Sequence, residues 1–323
     1  MTSTADLPSR VNDNYMSVDD STSENSFVID RLHVMLHQEI ASYPSCVNYT
    51  AHVDMLPVSC PLTQKAVVND EWRRKICEWA FGVVDHFEYS REAVSLAMNY
   101  LDRYASFAHS KGMPLSRKAF QLAAVASLYL AIKIEGKNNR GQRLTIATLV
   151  ELSRGLFSVK LIEQMEREIL TALRWKINPP TVAQCISHLV ELFPTQCAHS
   201  DFSRARHGIL EMSRFFSELS VYQASLSIEQ RPSVVAFSCV LNAMECVSTV
   251  SLPYSVRQDF LEDIAKATHL QEGMMEVCKA RSHLRELHST IPENQFDTSA
   301  DGGSYDRNMS SLDRSSPVSV TGL

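Results

Sequence analysis

Lys133 and Glu166 are the two residues whose types and positions carry the most chemical consequence in this chain. Lys133 closes an apolar run that includes Leu128, Leu130 and Ile132, a place where a charge is costly unless it meets acceptors. Its ammonium carries three N–H donors, and Glu166 offers two acceptor oxygens. From position alone they read as a solvated lysine and an ordinary helix-surface glutamate, or as a salt bridge between the two. No catalytic constellation accompanies them: there is no glycine-rich phosphate loop, no His-Glu-x-x-His, no His-Asp doublet and no nucleophile elbow. The 11 histidines are scattered singly, and His33 and His37, one turn apart, have no third ligand beside them to hold a metal. The eight cysteines (Cys46, Cys60, Cys77, Cys185, Cys197, Cys239, Cys246 and Cys278) show no Cys-x-x-Cys spacing and read as reduced, mostly buried thiols. No cofactor is implied.

Composition narrows the class of molecule. With 45% hydrophobic and 21% charged residues, the 323-residue chain reads as a soluble globular protein able to bury a sizeable core. Its net charge of −6 disfavours broad nucleic-acid binding, which rests on Lys and Arg neutralising phosphates. No apolar run reaches the roughly 20 residues that span a bilayer, so no membrane partner is expected. The opening Met-Thr-Ser-Thr-Ala-Asp has neither a basic nor an apolar signal region, which points to the nucleus and cytoplasm.

The elements that must position these residues are almost all helical. Residues 1–25 and 291–323 are rich in Ser, Thr, Asn and Asp and read as disordered tails. A first helix is expected from Phe27 to Tyr43, with Ile29, Leu32, Leu36 and Ile40 on its apolar stripe. An irregular stretch, 45–69, carries Pro57 and Pro61. Five helices follow, opened by Asp70, Ser90, Ser116, Thr145 and Ser158, and the fifth turns Leu161, Met165, Ile169 and Leu173 inward. The third of them is apolar on nearly every side, as a helix surrounded by others is. Pro179-Pro180 ends this unit, and a second set is expected near 181–193, 201–220, 232–249, 254–267 and 270–288, again with the most apolar helix third. The expectation is an all-α chain: a disordered segment 1–25, a helix and five-helix unit over 26–178, a second five-helix unit over 179–290, and a tail over 291–323.

Several segments resemble the cyclin family. Trp72-Arg73-Arg74-Lys75-Ile76-Cys77-Glu78-Trp79 is similar to the opening helix of the cyclin box, and Leu96-Ala97-Met98-Asn99-Tyr100-Leu101-Asp102-Arg103-Tyr104 to its second. Leu130-Ala131-Ile132-Lys133-Ile134-Glu135 resembles the family's Ala-x-Lys-x-Glu. Met165-Glu166-Arg167-Glu168-Ile169-Leu170, followed by Leu173-Arg174-Trp175, resembles its fifth helix, and Arg231-Pro232-Ser233-Val234-Val235-Ala236 the opening of the third helix in a second unit. The resemblance covers about 30–290 and leans towards the D-type group, although that group's Leu-x-Cys-x-Glu is absent.

The resemblance implies two tandem cyclin folds and a non-catalytic regulatory subunit that activates a cyclin-dependent protein kinase in G1/S cell-cycle control. Other readings are a transcription-associated cyclin, or a twin-cyclin-fold transcription factor gripping DNA. It further implies that Lys133 and Glu166 grip backbone groups beside the kinase's regulatory helix, with Leu130, Ile134, Ile169, Leu170 and Trp175 around them. Helical spacing does not separate such an interface from core packing. Arg73 and Asp102 look like the family's internal ion pair. Trp72, Ile76, Trp79, Phe120 and Gln121 occupy the positions of a groove that docks kinase substrates or inhibitors, with Lys75 and Gly82 departing from the usual pattern. A loop at Gly136–Gly141 would absorb the long spacing between Lys133 and Glu166, and Ser316-Pro317 in the tail is a minimal proline-directed phosphorylation site.

Overall fold

The structure, a computed structural model, describes residues 19–50, 68–135, 144–193 and 202–290, with side chains from residue 26 onward. It is all helical: twelve helices and no strand occur among the described residues. The tail, the Gly136–Gly141 loop, Cys60, Cys197 and residues 1–18 lie outside them.

Helix α1 runs from Asp19 to Ala41, beginning eight residues earlier than expected. A helix once nucleated gains one hydrogen bond per added residue, so the polar segment 19–25 extends it rather than staying irregular. The first unit comprises α2 (Asp70–His86), α3 (Glu92–Ser110), α4 (Arg117–Glu135), α5 (Ile146–Leu152) and α6 (Val159–Ala172). The second comprises α7 (Val182–Glu191), α8 (Phe202–Tyr222), α9 (Ala224–Ser227), α10 (Pro232–Glu245), α11 (Tyr254–Thr268) and α12 (Met275–Ser289). Only the single turn α9 had no counterpart in the sequence pattern. Side-chain caps mark several starts: Thr145 receives Thr148 N–H and Ser158 receives Leu161 N–H, while Thr181 and Gln184 form a capping box. At α2 the cap is Asn69 rather than Asp70, because the Asn69 amide oxygen accepts Trp72 N–H at 3.0 Å.

In each unit the apolar helix sits at the centre, α4 as the third of its unit and α10 as the third but for the single turn α9. α4 buries eleven of its residues against α3 and α6, and α10 buries twelve against α7, α8 and α12. Two apolar clusters result among the described residues, centred on the two units, and the first also takes in Val221, Ala224 and Ile228 of the second. Helix α1, expected to accompany the first unit, packs on the second instead: Leu32 is buried there, with Val28, Ile29 and Met35 beside it. Its stripe also differs from the expected one. Ile40 faces solvent at 62% exposure, and Glu39 is the residue that goes in, at 1%.

Glu39 is buried because it caps another helix. Its carboxylate accepts Ser233 N–H at 3.0 Å and Ser233 Oγ–H at 2.6 Å, at the N-terminus of α10 where free N–H groups and the helix dipole favour negative charge. At α1's other contact, His33 Nε2 lies 2.7 Å from the Ala267 carbonyl, near the C-terminus of α11. Burial pushes the Glu39 carboxyl above its ordinary value, opposed by the Ser233 bonds and Arg231 and assisted by Glu276.

From α1 the chain returns through the junction between the units. Cys46 N–H bonds the Ile228 carbonyl, and Asn48 Nδ2 bonds Glu229. Tyr49 then donates its hydroxyl to Asp102 Oδ1 at 2.7 Å. There the two units are joined by one side chain. Arg73 of α2 reaches Asp102 of α3 through Nε and Nη2, at 2.9 and 2.7 Å, and the Val221 carbonyl through Nη1 at 2.8 Å. Its Nη2 also donates to Ser227 Oγ, so all three nitrogens are used and two of the partners belong to the second unit. The expected pair of Arg73 and Asp102 is therefore present and reaches further than the two helices it was assigned to link. Although burial works against the charge, the Asp102 carboxylate holds the Arg73 guanidinium above its usual range.

Two outcomes follow in solution. Arg73→Met leaves a buried carboxylate unpaired and should cost about 3–5 kcal/mol in urea unfolding; a loss under 1 kcal/mol would show that the pair bears little of the fold. Glu39→Ala removes a cap and should cost about 1–2 kcal/mol. Because the folded Glu39 carboxyl titrates above its unfolded value of 4.5, its contribution is fully present below that value and declines as pH rises through the folded one. Relative to Glu39→Gln, the wild type should therefore be most favoured at and below pH 4.5 and lose that advantage as pH rises above it, as read by thermal melts across pH.

Candidate functional site

Lys133 and Glu166 are brought together by the packing of α4 on α6. Ile162, Met165 and Ile169 of α6 face inward, which leaves Glu166 on the edge beside the last turn of α4. Leu161, expected on that inward stripe, is 44% exposed, and Ile162 takes its place. The Lys133 ammonium forms an ion pair with Glu166 Oε1. The side chains remain accessible, Lys133 at 41% and Glu166 at 14%, so the pair lies on the surface with its glutamate half set in. The ammonium also stands 4.6 Å from the centre of the Tyr129 ring.

The apolar residues around the pair divide into two groups. Ile169 is fully buried, and Leu130 and Leu170 are 4% and 7% exposed, so these three belong to the first unit's core. Their assignment to a contact surface is corrected on that ground: their surface is already spent on α3, α4 and α6. Ile134 and Trp175 are the exposed ones, at 40% and 70%. Val159, 40% exposed and two turns before Glu166 on the same side of α6, joins them. Its place on the first turn of α6 was legible from the Ser158 cap; its exposure was not.

Trp175 is held out by backbone geometry. Arg174 and Trp175 both take left-handed conformations, with φ of 52° and 58°. Side-chain-bearing residues seldom adopt this region, at a cost of roughly 1–2 kcal/mol each. The turn is paid for by a clamp from α3 and the end of α1. Arg103 donates to the Lys176 carbonyl at 2.9 Å, Tyr100 donates to the Ile177 carbonyl, and Asn178 N–H reaches the Tyr43 hydroxyl. Arg103 in turn lies 5.1 Å from the Tyr43 ring centre. An exposed indole on a fixed turn is an anchor rather than a loose side chain.

The five docking-groove residues are also gathered, but as packed interior. Trp72, Ile76, Trp79, Phe120 and Gln121 are each under 9% exposed. Ile76, Trp79 and Gln121, with Leu152 and Leu156, line a crevice of only about 10 Å³, no more than one water needs. The Arg117 guanidinium covers Trp72 at 4.8 Å from a ring centre, and Phe120 is wholly sealed. An open groove is thus absent at these residues, because bulky rings and Arg117 fill it. Beside it, Gly82 leaves open space where a side chain would project.

Sequence reasoning also missed a cleft of about 330 Å³ between the units, lined by Arg91, Glu92, Gln184, Arg214 and Glu218. Its charges are matched within the chain: Arg91 pairs with Asp85 and Glu218, and Arg214 with Glu211. Among the described residues no group of three metal-ligating side chains occurs, and no helix is long and apolar enough to cross a membrane. Of the six described cysteines, all with free thiols, Cys77, Cys185 and Cys239 are buried, whereas Cys246 and Cys278 are exposed. Burial pushes the Cys77 thiol up to about 12.

Comparison with known proteins bears on what this surface belongs to. Residues 45–178 match the family described as the cyclin N-terminal domain. Cyclin-D3-1 of Arabidopsis thaliana is 31% identical over 177 residues, covering 54% of this chain and 43% of that protein. Human cyclin-A2 is 25% identical over 190 residues, covering 58% of this chain and 40% of that protein. The matched region therefore spans less than half the length of these relatives. In three dimensions, a viral cyclin from herpesvirus saimiri superposes with a TM-score of 0.53 at 17% identity, over 80% of this chain and 97% of its own, which identifies the fold. The matched segment holds Arg73, Asp102, Lys133, Glu166 and Trp175 together. Residues 45–178 are thus similar to the cyclin N-terminal domain, and the twin helical units that carry them have the fold of a cyclin.

Proposed function

We propose that this chain is a non-catalytic regulatory subunit that binds and activates a cyclin-dependent serine/threonine kinase, acting in the nucleus and cytoplasm in G1/S control. One observation carries the reading: an accessible Lys133–Glu166 pair, with Ile134, Val159 and the held-out Trp175 on the same domain. A charged pair beside exposed apolar anchors is the make-up of an interface centre. The similarity to cyclins supplies the kind of partner.

The mechanism is a shift of population in the partner. The surface binds only the kinase conformation whose regulatory helix is turned inward, so that conformation gains the binding free energy. Glu166 accepts backbone N–H groups beside that helix, and Lys133 donates to backbone carbonyls. Turning the helix inward completes the kinase's own Lys–Glu ion pair at its phosphate site. All covalent chemistry is the partner's.

The pair is closed in the free chain, so binding exchanges one charged contact for several. Charge-assisted hydrogen bonds contribute roughly 1.5–3 kcal/mol each. Replacing both groups, Lys133→Ala with Glu166→Ala, should therefore weaken kinase binding by at least about a hundredfold and abolish activation with helical content unchanged. Wild-type activation by that variant in a reconstituted assay would reject the assignment. Trp175 supplies a second reading. Trp72 and Trp79 are buried, so acrylamide should quench chiefly the Trp175 emission, and added kinase should protect it. Quenching unchanged by a saturating kinase would place the interface elsewhere.

A further inference from the structure

Lys133 is held from two sides by its own chain. Glu166 pairs with its ammonium, and the Tyr129 ring, one turn earlier on α4, lies 4.6 Å from it. The tyrosine is half-buried among the residues packed on the first unit's core, so its ring is not free to swing away. The two holds differ in what happens to them when a partner arrives. On the reading above, Glu166 must turn oxygens towards the partner's N–H groups, and its grip on Lys133 loosens at that moment. A lysine released on its four-carbon stem would have to be ordered again before it could donate. The ring face has no hydrogen bond to exchange, so it keeps its hold throughout.

We propose that Tyr129 is a positioning residue for partner binding: its ring face aims the Lys133 ammonium and keeps it aimed while Glu166 changes partners. The proposal rests on the assignment of Lys133 and Glu166 to the kinase contact. The attraction comes from the negative face of the ring, so phenylalanine supplies it and leucine, of similar bulk, does not. At a partly exposed site such a contact corresponds to about a two- to fivefold change in affinity.

The test measures affinity for a recombinant cyclin-dependent kinase that the wild-type chain activates. Tyr129→Leu should weaken binding about two- to fivefold, and Tyr129→Phe should restore it. In a Lys133→Ala background the leucine substitution should have no further effect. A partner-free readout accompanies it: the Lys133 ε-methylene protons should show an upfield ring-current shift by NMR, kept by Tyr129→Phe and lost in Tyr129→Leu. If Tyr129→Leu binds as the wild type does while Lys133→Ala is impaired, the positioning role is overturned and the kinase contact stands. An equal loss from Tyr129→Leu in the Lys133→Ala background would mean packing rather than aim, and also overturn it. Wild-type binding by Lys133→Ala would remove both.

Discussion

The Arg73 guanidinium is the constraint on which the rest of the arrangement depends. It is fully buried, it neutralises Asp102, and it spends its remaining donors on Val221 and Ser227 across the junction. A buried charge of this kind adds little net stability, but removing either partner leaves the other stranded in low dielectric. Its effect is therefore on arrangement more than on depth: the two units are joined in the geometry that satisfies all these donors at once. Tyr49 adds its hydroxyl to the same carboxylate, and burial holds its pKa well above the ordinary value, so it stays a donor. The strand of chain leaving α1 is thereby fixed to the same point.

From that point the surface carrying Lys133, Glu166 and Trp175 is built outward in rigid steps. Asp102 sits on α3 beside Arg103, which clamps the turn carrying Trp175. α3 packs on α4, whose last turn carries Lys133, and α4 packs on α6, which carries Glu166. None of these residues is on a long loop. The strain of two successive left-handed residues is tolerated because the three residues that follow, Lys176, Ile177 and Asn178, are tied down by Arg103, Tyr100 and Tyr43. An exposed tryptophan held in this way loses little conformational entropy on binding, which is the advantage of a preorganised anchor.

The face carrying Trp72, Ile76 and Trp79 is constructed differently. Arg117 lies over the Trp72 ring, and the Trp72 Nε1 has no hydrogen-bond partner. Two charge pairs along α2 are made within the helix, Lys75 on Glu71 and Arg74 on Glu78. Aromatic bulk and neighbouring charge close this surface in the free chain. The same residue types that make a recognition groove when exposed make a core when covered.

Much of the fold is legible in the residues alone. The 3.6-residue periodicity, the Ser and Thr caps and the two all-round apolar helices locate eleven of the twelve helices and the order of both units, because those signals are local. The pairing of Arg73 with Asp102 and of Lys133 with Glu166 follows from similarity of motif, which carries residue identity across long separations. What tertiary structure alone decided is which faces are covered. An amphipathic stripe says that a side chain meets apolar surroundings and not whether its own chain or a partner provides them, so Ile169, Leu130 and Leu170 went inward while Ile134 and Trp175 stayed out. The docking of α1 on the second unit was equally beyond local pattern. It turns on Glu39 meeting the free N–H groups of a helix 194 residues away, a match between one carboxylate and one helix end that only the folded chain brings about.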